Sequence, residues 1–230
     1  MLVEKIKKIN WGHVLVMCIG NIFIGMGIAI FKLSGLGNDP FSGMVMALSD
    51  YTGIVYAQFV ILTNLVLFAI EFVFGKKFIG LGTIVNALLM GYIATFFYNI
   101  FTDAFGIPVE MLQRIAIMCI GVVIISFGLS MYQMPNEGVA PFDSLSLIME
   151  ERWKKIPYFW CRISNDAICA IICYAFGGIV GLGTLVGAFG LGPVIQFFNV
   201  CFTSKVLDKL DSSKKNSITE PVISCEQFTE

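Results

Sequence analysis

Charge is scarce in this chain. Fifteen Lys and Arg and 16 Asp and Glu make up 13% of 230 residues, beside a single histidine. Water-soluble domains carry about 25% charged residues, so the shortage excludes an ordinary solvent-facing surface. A net charge of −1 supplies no global field for nucleic acid, which is not expected as a partner. There is no His-Glu-x-x-His, no paired-cysteine zinc site, no Gly-x-Ser-x-Gly elbow and no nucleotide loop. The chain is therefore not expected to be an enzyme or to hold a metal or cofactor. No filter-like repeated ring or charge-bearing sensor helix points to an ion channel. Seven cysteines are present, but Cys18, Cys119, Cys161, Cys169, Cys173, Cys201 and Cys225 lack metal-type or secreted-disulfide spacing. What abounds is apolar surface: 57% hydrophobic residues and a mean hydropathy of +0.83. A lipid bilayer is the medium and partner that this composition requires.

A helix needs about 20 mostly apolar residues to cross a bilayer, and six segments qualify: 11–31, 54–74, 82–102, 112–132, 158–178 and 183–203. They fall into two copies of one pattern. Met17-Cys18-Ile19-Gly20 returns as Met118-Cys119-Ile120-Gly121, Pro40-Phe41 as Pro141-Phe142, and Gly80-Leu81-Gly82-Thr83 as Gly181-Leu182-Gly183-Thr184, always 101 positions on. The expected organisation is a basic N-terminus (1–10), a first copy (11–103), a second copy (104–204) and a flexible cytoplasmic tail from 205 onward. Three spans per copy is an odd number, so the second copy should face the opposite way, giving an all-α fold of two inverted three-helix repeats.

Lys5, Lys7, Lys8, Lys76, Lys77, Arg152, Lys154, Lys155, Lys205, Lys209, Lys214 and Lys215 all fall on one side if both termini are cytoplasmic, leaving only Lys32 and Arg114 opposite. That is a positive-inside distribution. The first span is not expected to be a cleaved signal, because its twin at 112–132 is internal. Pro193 is expected to kink the sixth span, and Thr83 and Thr184 to cap the helices they begin. Glu71 and Lys76 read as anchors at the membrane interface, as does His13.

The segment after the first span of each copy is the most informative loop. Gly-Leu-Gly-Asn-Asp39-Pro40-Phe41-Ser42 and Glu-Gly-Val-Ala-Pro141-Phe142-Asp143-Ser144 each read as a glycine turn followed by a proline-initiated helix of about ten residues. Proline suits the first helical position and Asp39 an N-cap. Such a helix is too short to span. It either lies on the interface or dips inward, where its N-terminus would bring partial positive charge to a central site. This loop, with the Gly-Leu-Gly-Thr opening of a later span, resembles the YczE/YyaS/YitT group of bacterial integral membrane proteins. That group typically has proline, tryptophan and aspartate here; this chain has Phe41 and Phe142 in the aromatic slot. The aspartate is kept as Asp143 in the second copy but is Ser42 in the first, where Asp39 precedes the proline. The resemblance implies a multi-span protein of a bacterial plasma membrane and lends no settled activity.

Polar residues within spans face protein or cavity rather than lipid. Asn64 and Asn165 are equivalent positions in the second and fifth spans, serving either an interhelical hydrogen bond or a site. Arg162 and Asp166 are four apart and can pair, with Asp166 roughly 12 Å into its span. This carboxylate is either held as a structural ion pair or couples transport to protons. The expected function is a secondary carrier of a small solute, with Asp39, Pro40, Phe41, Asn64, Pro141, Phe142, Asp143, Asn165 and Asp166 around the site. The alternative is a membrane accessory or scaffold that transports nothing. Oligomeric state, substrate and coupling ion are not legible.

Overall fold

The computed structural model describes residues 10–135, 137–156 and 158–210. Lys5, Lys7, Lys8, Asn136, Lys214, Lys215, Cys225 and most of the expected tail lie outside the described residues. Among the described residues every regular element is helical. The elements are α1 (Trp11–Ser34), α2 (Pro40–Thr52), α3 (Tyr56–Phe74), α4 (Leu81–Phe105), α5 (Met111–Gln133), α6 (Pro141–Arg152), α7 (Tyr158–Ala175) and α8 (Leu182–Leu210). Five of them, α1, α3, α4, α5 and α8, are long and apolar enough to cross a membrane. The remaining expected span, 158–178, is an 18-residue helix, α7. It carries Arg162, Asn165 and Asp166 and gives way at Gly177, whose φ of +77° suits glycine.

The last helix overruns its expected end at 203 and continues to Leu210, so the tail does not begin at Lys205. The reason is packing: Val206, Leu207 and Leu210 recur at helical spacing and seat against Val16, Ile19 and Met131. Two π turns, Val186–Gly190 and Asn199–Thr203, flank the α-helical stretch that holds Pro193. The wider turn before the proline accommodates a ring that would otherwise meet a carbonyl one turn back.

α1 is the most enclosed of the long helices and packs chiefly on α5 and α4. Its approach to α5 is backbone to backbone: a Cβ on Gly20 would stand 2.7 Å from the Tyr132 nitrogen, and one on Gly128 2.6 Å from the Ile24 nitrogen. Glycine at these crossings permits the contact.

Two further contacts tie the copies together, and one maps onto the other by the 101-position offset of the repeat. Gly82 N–H donates to the Glu137 carbonyl at 3.0 Å, and Gly183 N–H donates to the Leu36 carbonyl at 2.9 Å. Each copy's loop is thus clasped by the Gly-Leu-Gly-Thr segment of the other. The clasping loops turn at Gly37 (φ +99°) and Gly138 (φ +122°), conformations open chiefly to glycine. Thr83 and Thr184 receive the Gly80 and Gly181 N–H groups at 3.2 and 3.4 Å, the capping role expected of them.

The two proline-initiated helices are not surface connectors. Pro40, Ser42, Gly43, Met44, Val45 and Ala47 of α2 are buried, as are Pro141, Phe142, Asp143, Ser144 and Ser146 of α6. α2 lies between α7 and α3, and α6 likewise between α7 and α3. They run outward from the middle to opposite ends of the bundle. At one end Tyr51 of α2 meets Phe176, just beyond α7, with ring centroids 5.0 Å apart. At the other, Glu151 of α6 pairs with Lys77, just beyond α3.

Glu71 departs from the expectation of an interfacial anchor, being 0% exposed. It sits on the face of α3 that turns towards α6, where the next helical turn brings Gly75 against Ile148. Lys76 does stay exposed, its ammonium 4.9 Å from the centroid of the Phe72 ring.

Candidate functional site

The inward ends of α2 and α6 meet. Phe41 and Phe142, the equivalent second residues of the two short helices, stack with centroids 4.6 Å apart and planes inclined by 22°. Around them lies a cavity of about 80 Å3, several times the ~10–15 Å3 that one water needs on the same measure. Its walls come from both copies: Ile24, Ile28 and Tyr56 with Asn64, Asn86 and Met90, and Ile125, Leu129 and Tyr132 with Leu191.

Three carboxylates and one guanidinium share this space. Asp39 caps α2, its Oδ2 accepting the Ser42 N–H at 3.0 Å. Its other oxygen, Oδ1, is enclosed and has no hydrogen-bond partner. The neighbouring Asn38 holds the turn, its Oδ1 accepting the Asp39 N–H at 2.9 Å and its amide N–H donating to the Ile28 carbonyl at 3.3 Å.

On the opposite wall Arg162 reaches from α7 to two acids. Its Nη1 pairs with Asp143 in the first turn of α6, and its Nε donates to Asp166 at 3.4 Å. The guanidinium also lies 5.2 Å from the centroid of the Phe142 ring, within cation–π range. Asp143 and Asp166 are buried, while Arg162 keeps a modest exposure.

Of the expected site residues, Asp39, Pro40, Phe41, Asn64, Phe142, Asp143 and Asp166 line the cavity. Two do not. Pro141 is fully buried but outside the cavity lining, because successive residues of a helix point about 100° apart. Asn165 is turned away for the same reason and donates to Ser146 on α6 at 2.9 Å, the interhelical bond that was one of its two readings. Its counterpart Asn64 does face the cavity, with a 3.4 Å bond to the Ala87 carbonyl.

The i,i+4 pairing of Arg162 with Asp166 was legible in the sequence; the pairing with Asp143, 19 residues away, was not. Tyr56, Tyr132 and Asn86 were missed as well. Asn86 donates to Asn21 at 2.9 Å, and neither has a polar equivalent in the second copy, where Gly187 and Val122 stand. A scan of polar residues within apolar stretches, without regard to repetition, would have found both.

A model of a family of unknown function, DUF6198, matches residues 11–200. An uncharacterized protein of Haemophilus influenzae (strain ATCC 51907 / DSM 11121 / KW20 / Rd) is 28% identical over 177 residues, covering 76% of this chain and 78% of its own. YyaS of Bacillus subtilis (strain 168), also uncharacterized, is 26% identical over 187 residues, covering 78% and 89%. The uncharacterized membrane protein YczE of the same organism is 24% identical over 181 residues, covering 77% and 81%. No solved structure matches the chain. The resemblance to YczE and YyaS drawn from the loop residues therefore holds along most of the chain. Together with the apolar helices, it makes this a membrane protein.

Proposed function

The chain belongs to the DUF6198 family, and we propose that it is a secondary carrier, moving a small solute across a bacterial plasma membrane by alternating access. The observation that carries this reading is the meeting of two inward-pointing half-helices, one from each copy, at a cavity lined by residues of both copies. Carriers built from inverted repeats bind their solutes where such broken helices converge.

In this reading the chain crosses six times, with α7 as the shortest and most polar crossing. Residues 11–103 and 104–204 are related by a pseudo-two-fold axis in the membrane plane, running through the Phe41–Phe142 stack. The recurrence of the clasps Gly82–Glu137 and Gly183–Leu36 at one offset supports that axis. Exchange of the two copies' conformations would loosen one clasp while the other stays shut, opening the cavity to alternate sides. Both termini are cytoplasmic, which puts the Lys76–Lys77 turn and the Arg152–Lys155 loop inside and Arg114 outside.

Topology is tested first. Single cysteines placed at Lys77 and at Gly177, in a background freed of native cysteines, should react with an impermeant maleimide from inside and outside the cell respectively. Reaction of both from one face would end the inverted arrangement and the carrier with it.

Transport is tested with the purified chain in liposomes on a solid-supported membrane, across a panel of amines, carboxylates and neutral solutes. A saturable current with at least one of them is expected. Asp166→Asn should then abolish the pH dependence of that current, because the group that gains and loses the proton is gone. An unchanged pH profile removes Asp166 from coupling; absence of current with every solute favours an accessory role.

A further inference from the structure

We propose that the cavity is built for a small organic cation, a primary amine in its ammonium form or a compact quaternary ammonium, with Asp39 as its counter-ion. This deepens the carrier reading and rests on it for access to the site.

The charge inventory points this way. Asp39 faces the cavity from α2, Asp143 from α6, and Asp166 with Arg162 from α7, while α3 and α5 contribute the neutral phenols Tyr56 and Tyr132. From α1, α4 and α8 come only apolar side chains, Asn86 and Gly187. Three carboxylates against one guanidinium leave an excess of negative charge, and the guanidinium is already engaged by two of the three.

Helix N-termini ordinarily welcome anions, but here the chain has supplied its own. The α2 terminus is capped by the Asp39 carboxylate, and Asp143 occupies the first turn of α6. An incoming anion would meet carboxylates at both tips. A cation instead finds Asp39 Oδ1, enclosed and without a hydrogen-bond partner. It also finds the Tyr132 hydroxyl, on a side chain only 1% exposed, that makes no hydrogen bond in this conformation.

The aromatic lining adds a second, independent indication. Phe41, Phe142, Tyr56 and Tyr132 converge on one small space, the composition that binds alkylammonium groups by cation–π attraction. The Phe142 ring already lies within reach of one cation, the Arg162 guanidinium. The cavity is small, so the ligand should have few heavy atoms beyond its ammonium centre.

Three probes of matched size, one positive, one negative and one neutral, test the proposal on the full purified chain in detergent: propylammonium chloride, sodium propionate and propanamide, with tetramethylammonium chloride as the quaternary case. Thermal unfolding and isothermal titration calorimetry are read together. The expected result is saturable binding and a raised unfolding midpoint with the ammonium compounds alone. Asp39→Asn should weaken that binding at least tenfold, whereas Asp50→Asn, on the exposed end of the same helix, should leave it unchanged.

Equal binding of propionate or propanamide, or undiminished ammonium binding by Asp39→Asn, would overturn the proposal. Should Asp39→Asn not fold, Phe41→Leu carries the test through a selective loss of tetramethylammonium affinity; an unchanged affinity counts against the site. The liposome assay separates the two claims. Ammonium binding without flux removes the carrier and leaves the ligand class standing, while propionate flux without ammonium binding does the reverse.

Discussion

Arg162→Met is expected to destabilise the chain by about 3–5 kcal/mol, the cost of leaving buried charge without its partner. Two carboxylates depend on this guanidinium. Asp143 and Asp166, with side chains 9% and 6% exposed, are held by its Nη1 and Nε. Methionine restores most of the stem's volume, so the loss reports charge rather than packing. The unfolding midpoint in detergent should fall by roughly 10 °C, if about 2–4 °C per kcal/mol holds for a chain of this size.

A triple variant, Arg162→Met with Asp143→Asn and Asp166→Asn, should recover most of that loss, because a neutral cluster has no charge left to bury. This pair of results separates a structural ion cluster from a cluster kept for function. Recovery of stability with continued loss of flux assigns the charges to transport. A single variant as stable as the original would mean that the acids are already protonated and need no counter-ion.

The second large effect is expected at the clasps. A Cβ on Gly80 would overlap the Glu137 carbonyl oxygen, and one on Gly181 the Leu36 carbonyl oxygen. The obstacle is backbone in both cases, so no side-chain rotation relieves it. Gly80→Ala and Gly181→Ala should each cost about 3 kcal/mol, the upper end of an overpacking penalty, with a matching fall in monodisperse yield. Gly192→Ala is the control. Beyond its chain neighbours nothing lies within 4 Å of the added methyl; the helix-propensity gain of up to about 1 kcal/mol is offset by crowding of that methyl against the ring of Pro193, so the variant should show no loss comparable to those at the clasps. Similar penalties at Gly80 and Gly181 would show the two clasps to be equivalent, as the repeat implies. Tolerance at both would mean that the loops are not held as described.

Much of the architecture was decided by the amino-acid sequence alone. Apolar stretches of about 20 residues have one stable disposition in a bilayer, because every backbone polar group must be satisfied within the helix. Proline at 40 and 141 suits the first position of a helix, since it lacks the N–H that a first turn leaves unused and its φ is already helical. The 101-residue offset marked equivalent positions before any contact was known, and four-residue spacing was enough to pair Arg162 with Asp166.

Other features were decided only by the tertiary structure, since they join residues far apart in the chain or depend on which way a helix faces. The stacking of Phe41 on Phe142, the reach of Arg162 to Asp143 and the clasps between copies have no local signature. Whether the short helices turn inward or lie flat depends on what the long helices leave open. The burial of Glu71 follows from the orientation of α3, and the extension of α8 to Leu210 follows from the groove beside Val16 and Met131. Local chemistry chose the helices; their packing chose which side chains face the cavity.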